Sequence, residues 1–82
     1  MDKVGNHQTL ADLKPGQSGT VVALLGGQGV TGRLQALGLH PGKRVTKVSA
    51  MFLHGPVVVD LEHSKVALGL GLANKVVVEV EG

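Results

Sequence analysis

The side chains best suited to chemistry in this sequence are two carboxylates and an imidazole that lie close together, those of Asp60, Glu62 and His63. Alternating apolar residues beginning at Val57 predict a strand, which would place both carboxylates on one face with the imidazole beside them. Such ligands can hold a divalent transition metal. A solvated strand face explains the same residues more simply. The four histidines are scattered along the chain, so we expect no resident cofactor and no preformed metal site with three or more protein ligands.

A glycine-rich stretch is the second candidate, because Gly27, Gly29 and Gly32 satisfy the dinucleotide-binding pattern G-x-G-x-x-G. That function needs a complete βαβ unit and an acidic residue about 20 positions further on. Here a Pro-Gly turn follows a short helix, and the next acidic residue is the distant Asp60. We therefore expect a flexible surface loop. Cysteine is absent and no serine has a G-x-S-x-G context, so the sequence predicts a protein that is not an enzyme.

The composition argues against several other functions. The 82 residues include one aromatic side chain, Phe52, which cannot form the stacking platform that single-stranded nucleic acids need. The net charge is only +2, so we expect no nucleic-acid partner. The N-terminus lacks the apolar segment of a signal peptide, and no apolar run approaches the roughly 20 residues of a membrane-spanning helix. These features predict a cytoplasmic protein.

Four basic residues lie within a short stretch of the chain, namely Arg33, Lys43, Arg44 and Lys47. Such a group could bind phosphate groups or an acidic partner. A solvated rim on the protein surface explains it more simply, and this is the interpretation that we favour.

Short strands joined by Gly and Pro turns must position these residues. Pro15-Gly16 and Pro41-Gly42 have the residue order of type II turns, and Gly38 ends a two-turn helix. Strand patterns occupy residues 20–25, 44–50, 57–62, 66–68 and 76–80. Because there is material for only one thin core, we expect the sheet to close into a small barrel. The predicted core consists of Val21, Ala23, Leu34, Leu37, Val57, Val59, Leu61, Val76, Val78 and Val80.

Several stretches of the chain together match one known family. They are Leu10–Gln17, Arg33–Gly42, Gly55–Val59, Val66–Leu68 and Val76–Val80, and the helix exit R-L-x-x-L-G-L-x-P-G is the most specific of them. In these stretches the chain resembles the FeoA domain family, ferrous iron transport protein A. The resemblance implies a mainly β fold, an SH3-like β-barrel of about five strands with one short helix inserted after the first strand. The domain would span residues 9–82 and follow a flexible N-terminus, residues 1–8.

The resemblance implies a non-enzymatic cytosolic accessory protein of ferrous iron uptake. Such a protein would dock on the cytoplasmic part of the FeoB-type membrane iron transporter and could modulate its GTPase cycle. The docking surface would combine the helix exit, at Arg33, Leu37, Gly38 and Leu39, with an apolar segment at residues 68–72. Three alternatives stay open: a homo-oligomer formed through this surface, an SH3-like nucleic-acid-binding module, and a small domain that binds or senses a transition metal.

Leu70 and Leu72 belong to a segment, residues 66–73, that is apolar on both faces. Such a segment is either a doubly buried strand or a patch that contacts a partner. In the FeoA family the corresponding positions are usually polar or charged, and the predicted core is already filled. We therefore expect at least one of these two leucines to be more than half exposed.

Overall fold

The computed structural model describes residues 7–50 and 56–81. Its elements are β1 (His7–Thr9), β2 (Ser18–Leu24), α1 (Gln28–Ala36), β3 (Arg44–Ala50), β4 (Val57–Asp60), β5 (Lys65–Leu68), α2 (Leu70–Ala73) and β6 (Val76–Val80). All strand pairs are antiparallel, and they form one sheet in the order β1-β6-β2-β3-β4-β5. The predicted mainly β fold is confirmed. Among the described residues, however, β1 and β5 are the two edge strands and do not pair with each other, so the sheet does not close into a fully hydrogen-bonded barrel.

The sheet has one strand more than expected, and the chain has a second short helix. His7 and Gln8 belong to β1 and pair with Glu79 and Val78, so the expectation of a flexible segment at 1–8 was wrong for these two residues. The rest of that segment, residues 1–6, lies outside the described residues, as does Phe52. The inserted helix α1 consequently follows the second strand of the sheet.

One apolar core lies beneath the sheet, and most of the predicted core residues are in it. Ala23 and Leu37 are the exceptions. Ala23 is only partly buried because the register between β2 and β6 shifts between Val21 and Ala23, so that Leu24 packs on the core instead. Leu37 stands at the C-cap of α1, where its side chain turns outward. The buried apolar residues that the sequence patterns missed are Leu10, Leu13, Leu39, Val45, Leu68 and Ala73.

Helix α1 ends at the predicted glycine. Gly38 has a positive φ of 95°, which a residue with a side chain rarely adopts. Its amide donates to the carbonyl oxygen of Gln35 (2.9 Å), and the amide of Leu39 donates to that of Leu34 (3.0 Å). These two bonds form the Schellman motif that stops a helix. The chain therefore turns sharply, and Leu39 enters the core.

Candidate docking surface

Helix α1 connects two distant places in the sheet. It begins shortly after Leu25, whose amide donates to the carbonyl oxygen of Lys75 (2.7 Å) just before β6. It ends near the last residues of β4, where a Cβ atom added to Gly38 would lie 3.2 Å from Cδ1 of Leu61. Between these ends only Leu34 is fully buried in the helix. Leu34, with the partly buried Val30 packed against the core one turn earlier, therefore anchors the helix, and most of its remaining surface is free to contact another molecule.

The four residues predicted at the helix exit have three different roles. Arg33 is exposed, and Leu37 keeps 37% of its surface accessible, so both can contact a partner. Leu39 is completely buried, and its expected place on the docking surface was wrong because the Schellman turn directs it inward. Gly38 is partly buried and shapes the turn that separates the exposed Leu37 from the buried Leu39.

The second predicted part of the surface, the apolar segment at residues 68–72, contains most of helix α2. Leu70 is 39% exposed, whereas Leu72 is partly buried and packs against the core beside the fully buried Ala73. The expectation that one of the two leucines would be more than half exposed was therefore wrong. The neighbouring Gly69 and Gly71 have open space where a Cβ atom would lie, so none of the described residues covers Leu70 from that side.

Over residues 7–50 and 56–81, the two parts do not form one continuous patch. Gly38 lies against Leu61, at the end of β4 where Asp60 pairs with Lys65. Helix α2 follows Leu68, which pairs with Val57 at the opposite end of the same two strands. Because Val57 and Asp60 are three residues apart on β4, these two ends lie about 10 Å from each other. A partner that touches both parts must therefore span the β4–β5 pair.

The glycine pattern lies on the surface, but not in a loop. Gly27 is the N-cap of α1, while Gly29 and Gly32 belong to the helix itself. All three are exposed, and beyond the neighbouring backbone a Cβ atom added to any of them would meet no atom of the described residues within 4 Å. The expected flexible loop was thus wrong for the last two glycines.

The predicted trio of Asp60, Glu62 and His63 does not share one strand face. β4 ends at Asp60, whose Oδ1 accepts a hydrogen bond from the amide of Glu62 (2.9 Å). Glu62 then adopts a positive φ of 85° in the turn to β5, and its Oε1 lies 3.6 Å from Nζ of Lys43. Over residues 7–50 and 56–81, no three His, Asp or Glu residues stand close enough to share a metal ion.

The basic residues do not form one free patch either. Arg44 makes a two-pronged ion pair with Glu81, with nitrogen–oxygen distances of 2.5 and 3.0 Å. The hydrogen bonds and charge of Glu81 raise the pKa of Arg44, and those of Arg44 lower the pKa of the Glu81 carboxyl. Lys43 lies beside Glu62, as described above. Only Arg33 remains on the proposed helix surface.

Lys47 is the largest departure from the predicted solvated rim. It is only 3% exposed, and its Nζ donates to the carbonyl oxygens of Ala11 (3.0 Å) and Leu13 (2.6 Å). Burial lowers the pKa of its amino group, with a smaller opposing effect from Asp12. Strand alternation could have revealed this position, since Lys47 stands two residues after the buried Val45 and so shares its face.

Comparison with known proteins agrees with this geometry. The FeoA domain model matches residues 8–80. A protein of Methanocaldococcus jannaschii named "Putative Fe(2+) transport protein A" is 33% identical over 70 residues, which cover 85% of this chain and 83% of that protein. The crystal structure of an iron uptake regulatory protein (FeoA) superposes with a TM-score of 0.87 at 30% identity, covering 93% of this chain and all of the other.

A further solved relative is the FeoA of Stenotrophomonas maltophilia complexed with zinc, an SH3 domain protein. It has a TM-score of 0.75 and 26% identity, and the match covers 88% of this chain and 89% of that one. The fold and these matches together define a small SH3-like β domain of a family associated with ferrous iron transport. The chain belongs to the FeoA domain family. No helix of the described residues is long and apolar enough to cross a membrane.

Proposed function

We propose that this chain is a cytoplasmic, non-enzymatic accessory protein of ferrous iron uptake that docks on the cytoplasmic part of the FeoB-type membrane iron transporter. Docking in turn modulates the GTPase cycle of the transporter. The observation that supports this most strongly is the FeoA domain match, which spans both exposed helices. A domain of this size acts on a larger enzyme by binding it, and these helices offer aliphatic side chains for such binding.

The proposed contact residues are Arg33 and Leu37 on the α1 side and Leu70 on α2. All three are exposed, and the two leucines supply the apolar contact on which stable association depends. Leu39 and Leu72 support this surface from beneath by packing on the core. The roughly 10 Å between the two parts is well within the width of an ordinary protein interface, which buries about 800 Å² on each partner.

The size of the leucine contribution follows from the exposure of each side chain. Burying a whole leucine is worth about 1.5–3 kcal/mol. The 37% and 39% of Leu37 and Leu70 that are accessible correspond to about 0.6–1.2 kcal/mol each, or about a threefold to eightfold change in Kd. Replacement by lysine adds the cost of burying a charge, so it weakens binding at least this much.

The test measures binding of the purified chain to the purified cytoplasmic domain of the transporter. Leu37→Lys and Leu70→Lys are expected to weaken binding and to leave the thermal midpoint nearly unchanged. Val48→Lys is the matched control, since Val48 is 40% exposed but lies on β3, outside both helices. Equal effects of all three variants, or none from either leucine variant, would refute the docking surface.

A second measurement addresses the effect on the transporter. GTP hydrolysis by the cytoplasmic domain is recorded with increasing amounts of wild-type chain and of the Leu70→Lys variant. We expect the wild-type chain to change the rate and the variant to require a higher concentration for the same change. Binding without any change in rate would leave the docking proposal standing and reject the modulation. Binding to a second copy of the chain, to RNA or to Fe²⁺ instead of the transporter would replace the proposal by the corresponding alternative.

A further inference from the structure

A buried lysine holds the segment that links β1 to β2. The amino group of Lys47 donates to the carbonyl oxygens of Ala11 and Leu13. The backbone of the same residue contacts the next part of that segment: its amide donates to Gln17 (2.9 Å), and its carbonyl accepts from Gly16 (2.7 Å). One residue of β3 therefore fixes this segment, residues 10–17, at four points.

An apolar side chain would be the simpler occupant of this position. Lys47 shares its strand face with the fully buried Val45, and burying an amino group costs free energy that burying an aliphatic group does not. The two carbonyl oxygens explain why this buried position is occupied by lysine. Among the described backbone bonds outside helices and strands, no amide donates to Ala11 or Leu13, so the amino group satisfies two acceptors that the turn leaves over.

The segment held in this way carries part of the core. Leu10 is completely buried and Leu13 is 2% exposed, and both belong to the core cluster. One of the two accepting carbonyls therefore belongs to the buried Leu13, and the other belongs to Ala11, which follows the buried Leu10. If the segment left the sheet, both leucines would become accessible together. The bonds made by Lys47 thus oppose the exposure of two large apolar side chains.

We propose that Lys47 is a latch, a positioning residue whose amino group keeps the 10–17 segment closed over the core and sets how often that segment opens independently of the rest of the sheet. The device is conformational: its open state exposes Leu10 and Leu13 while the β2–β6 pairing persists. Replacing the amino group by an apolar group of similar length removes the two bonds but keeps the aliphatic packing.

The test is site-resolved amide hydrogen exchange on the full chain in native conditions. In Lys47→Met, the amides of Asp12, Gly16 and Gln17 are expected to exchange at least about tenfold faster than in the wild type, relative to the amides of the β2–β6 ladder. Lys14→Met is the matched control, because Lys14 lies in the same segment but is exposed, and it should change nothing. Lys47→Arg, which restores N–H donors, should recover part of the protection.

A uniform acceleration over segment and ladder would overturn the latch, since Lys47 would then contribute only to overall stability. Unchanged exchange in Lys47→Met would overturn it as well. If Lys47→Met does not fold, the urea dependence of amide exchange in the wild type tests the latch instead. The latch requires the segment amides to exchange through a local opening that is insensitive to urea, and exchange only by global unfolding would contradict it.

Discussion

The stability of the docking surface depends on one buried leucine. Leu34 is completely buried and is the only fully buried residue of α1, with Val30 packing partly buried against the core, so we expect Leu34→Ala to loosen the helix strongly. Removing a buried leucine costs about 2–5 kcal/mol, depending on how far the surroundings can fill the cavity. Here the ends of α1 are fixed, by the bond from Leu25 to Lys75 and by the contact of Gly38 with Leu61. The helix cannot settle inward, and the cost should lie in the upper half of this range.

The assay is urea unfolding followed by circular dichroism. Leu37→Ala is the matched control, because Leu37 ends the same helix but is 37% exposed, and the buried remainder of its side chain should cost about 1–2 kcal/mol. Leu34→Met keeps most of the side-chain volume and should cost less than about 1.5 kcal/mol, which gives a folded variant even if Leu34→Ala unfolds completely. Equal losses for Leu34→Ala and Leu37→Ala would refute the role of Leu34 as the main anchor of α1.

Further predictions concern backbone geometry and charge. Gly38→Ala should destabilise by at least about 1 kcal/mol in thermal melts, because φ is positive there, whereas Gly29→Ala on the open face of α1 should stabilise by about 0.4–1 kcal/mol. The pKa of Glu81 is lowered below its ordinary 4.5, so its contribution to stability is present above pH 4.5 and is lost as the pH falls through the folded-state pKa. In Glu81→Gln, melts at decreasing pH should lack this loss. The pKa of Lys47 is lowered from 10.5, so stability should rise as the pH increases from the folded-state pKa towards 10.5, while the neutral amine still donates. Melts of Lys47→Met over the same range should lack this rise.

Much of the fold follows from local patterns in the sequence. The alternation of Val76, Val78 and Val80 placed β6 correctly, because a strand with one buried face leaves little freedom of register. The helix stop at Gly38 was also predictable, since a positive φ and a following apolar residue are typical of the Schellman motif. The bulge next to Ala23 was not, because the register shift depends on the partner strand and has no signature in the residues of β2.

The candidate site was less predictable, because its residues depend on long-range packing. Leu39 and Leu72 are apolar residues in exposed-looking segments, and only the paths of the two helix connections determine that they pack inward. Asp60 and Glu62 alternate as a strand would, yet the strand ends between them because Asp60 caps the following turn. Lys47 was assigned to the surface from its charge, although its register with Val45 indicates burial.

The central proposal is that this chain docks on the cytoplasmic part of the transporter through α1 and α2. The most direct test is amide chemical-shift mapping of the ¹⁵N-labelled chain during titration with the unlabelled cytoplasmic domain. We predict that the largest shifts occur at Arg33, Leu37 and Leu70, on both sides of the β4–β5 pair. Shifts confined to β1 and its pairing with β6, or no shifts at concentrations well above micromolar, would contradict the proposal.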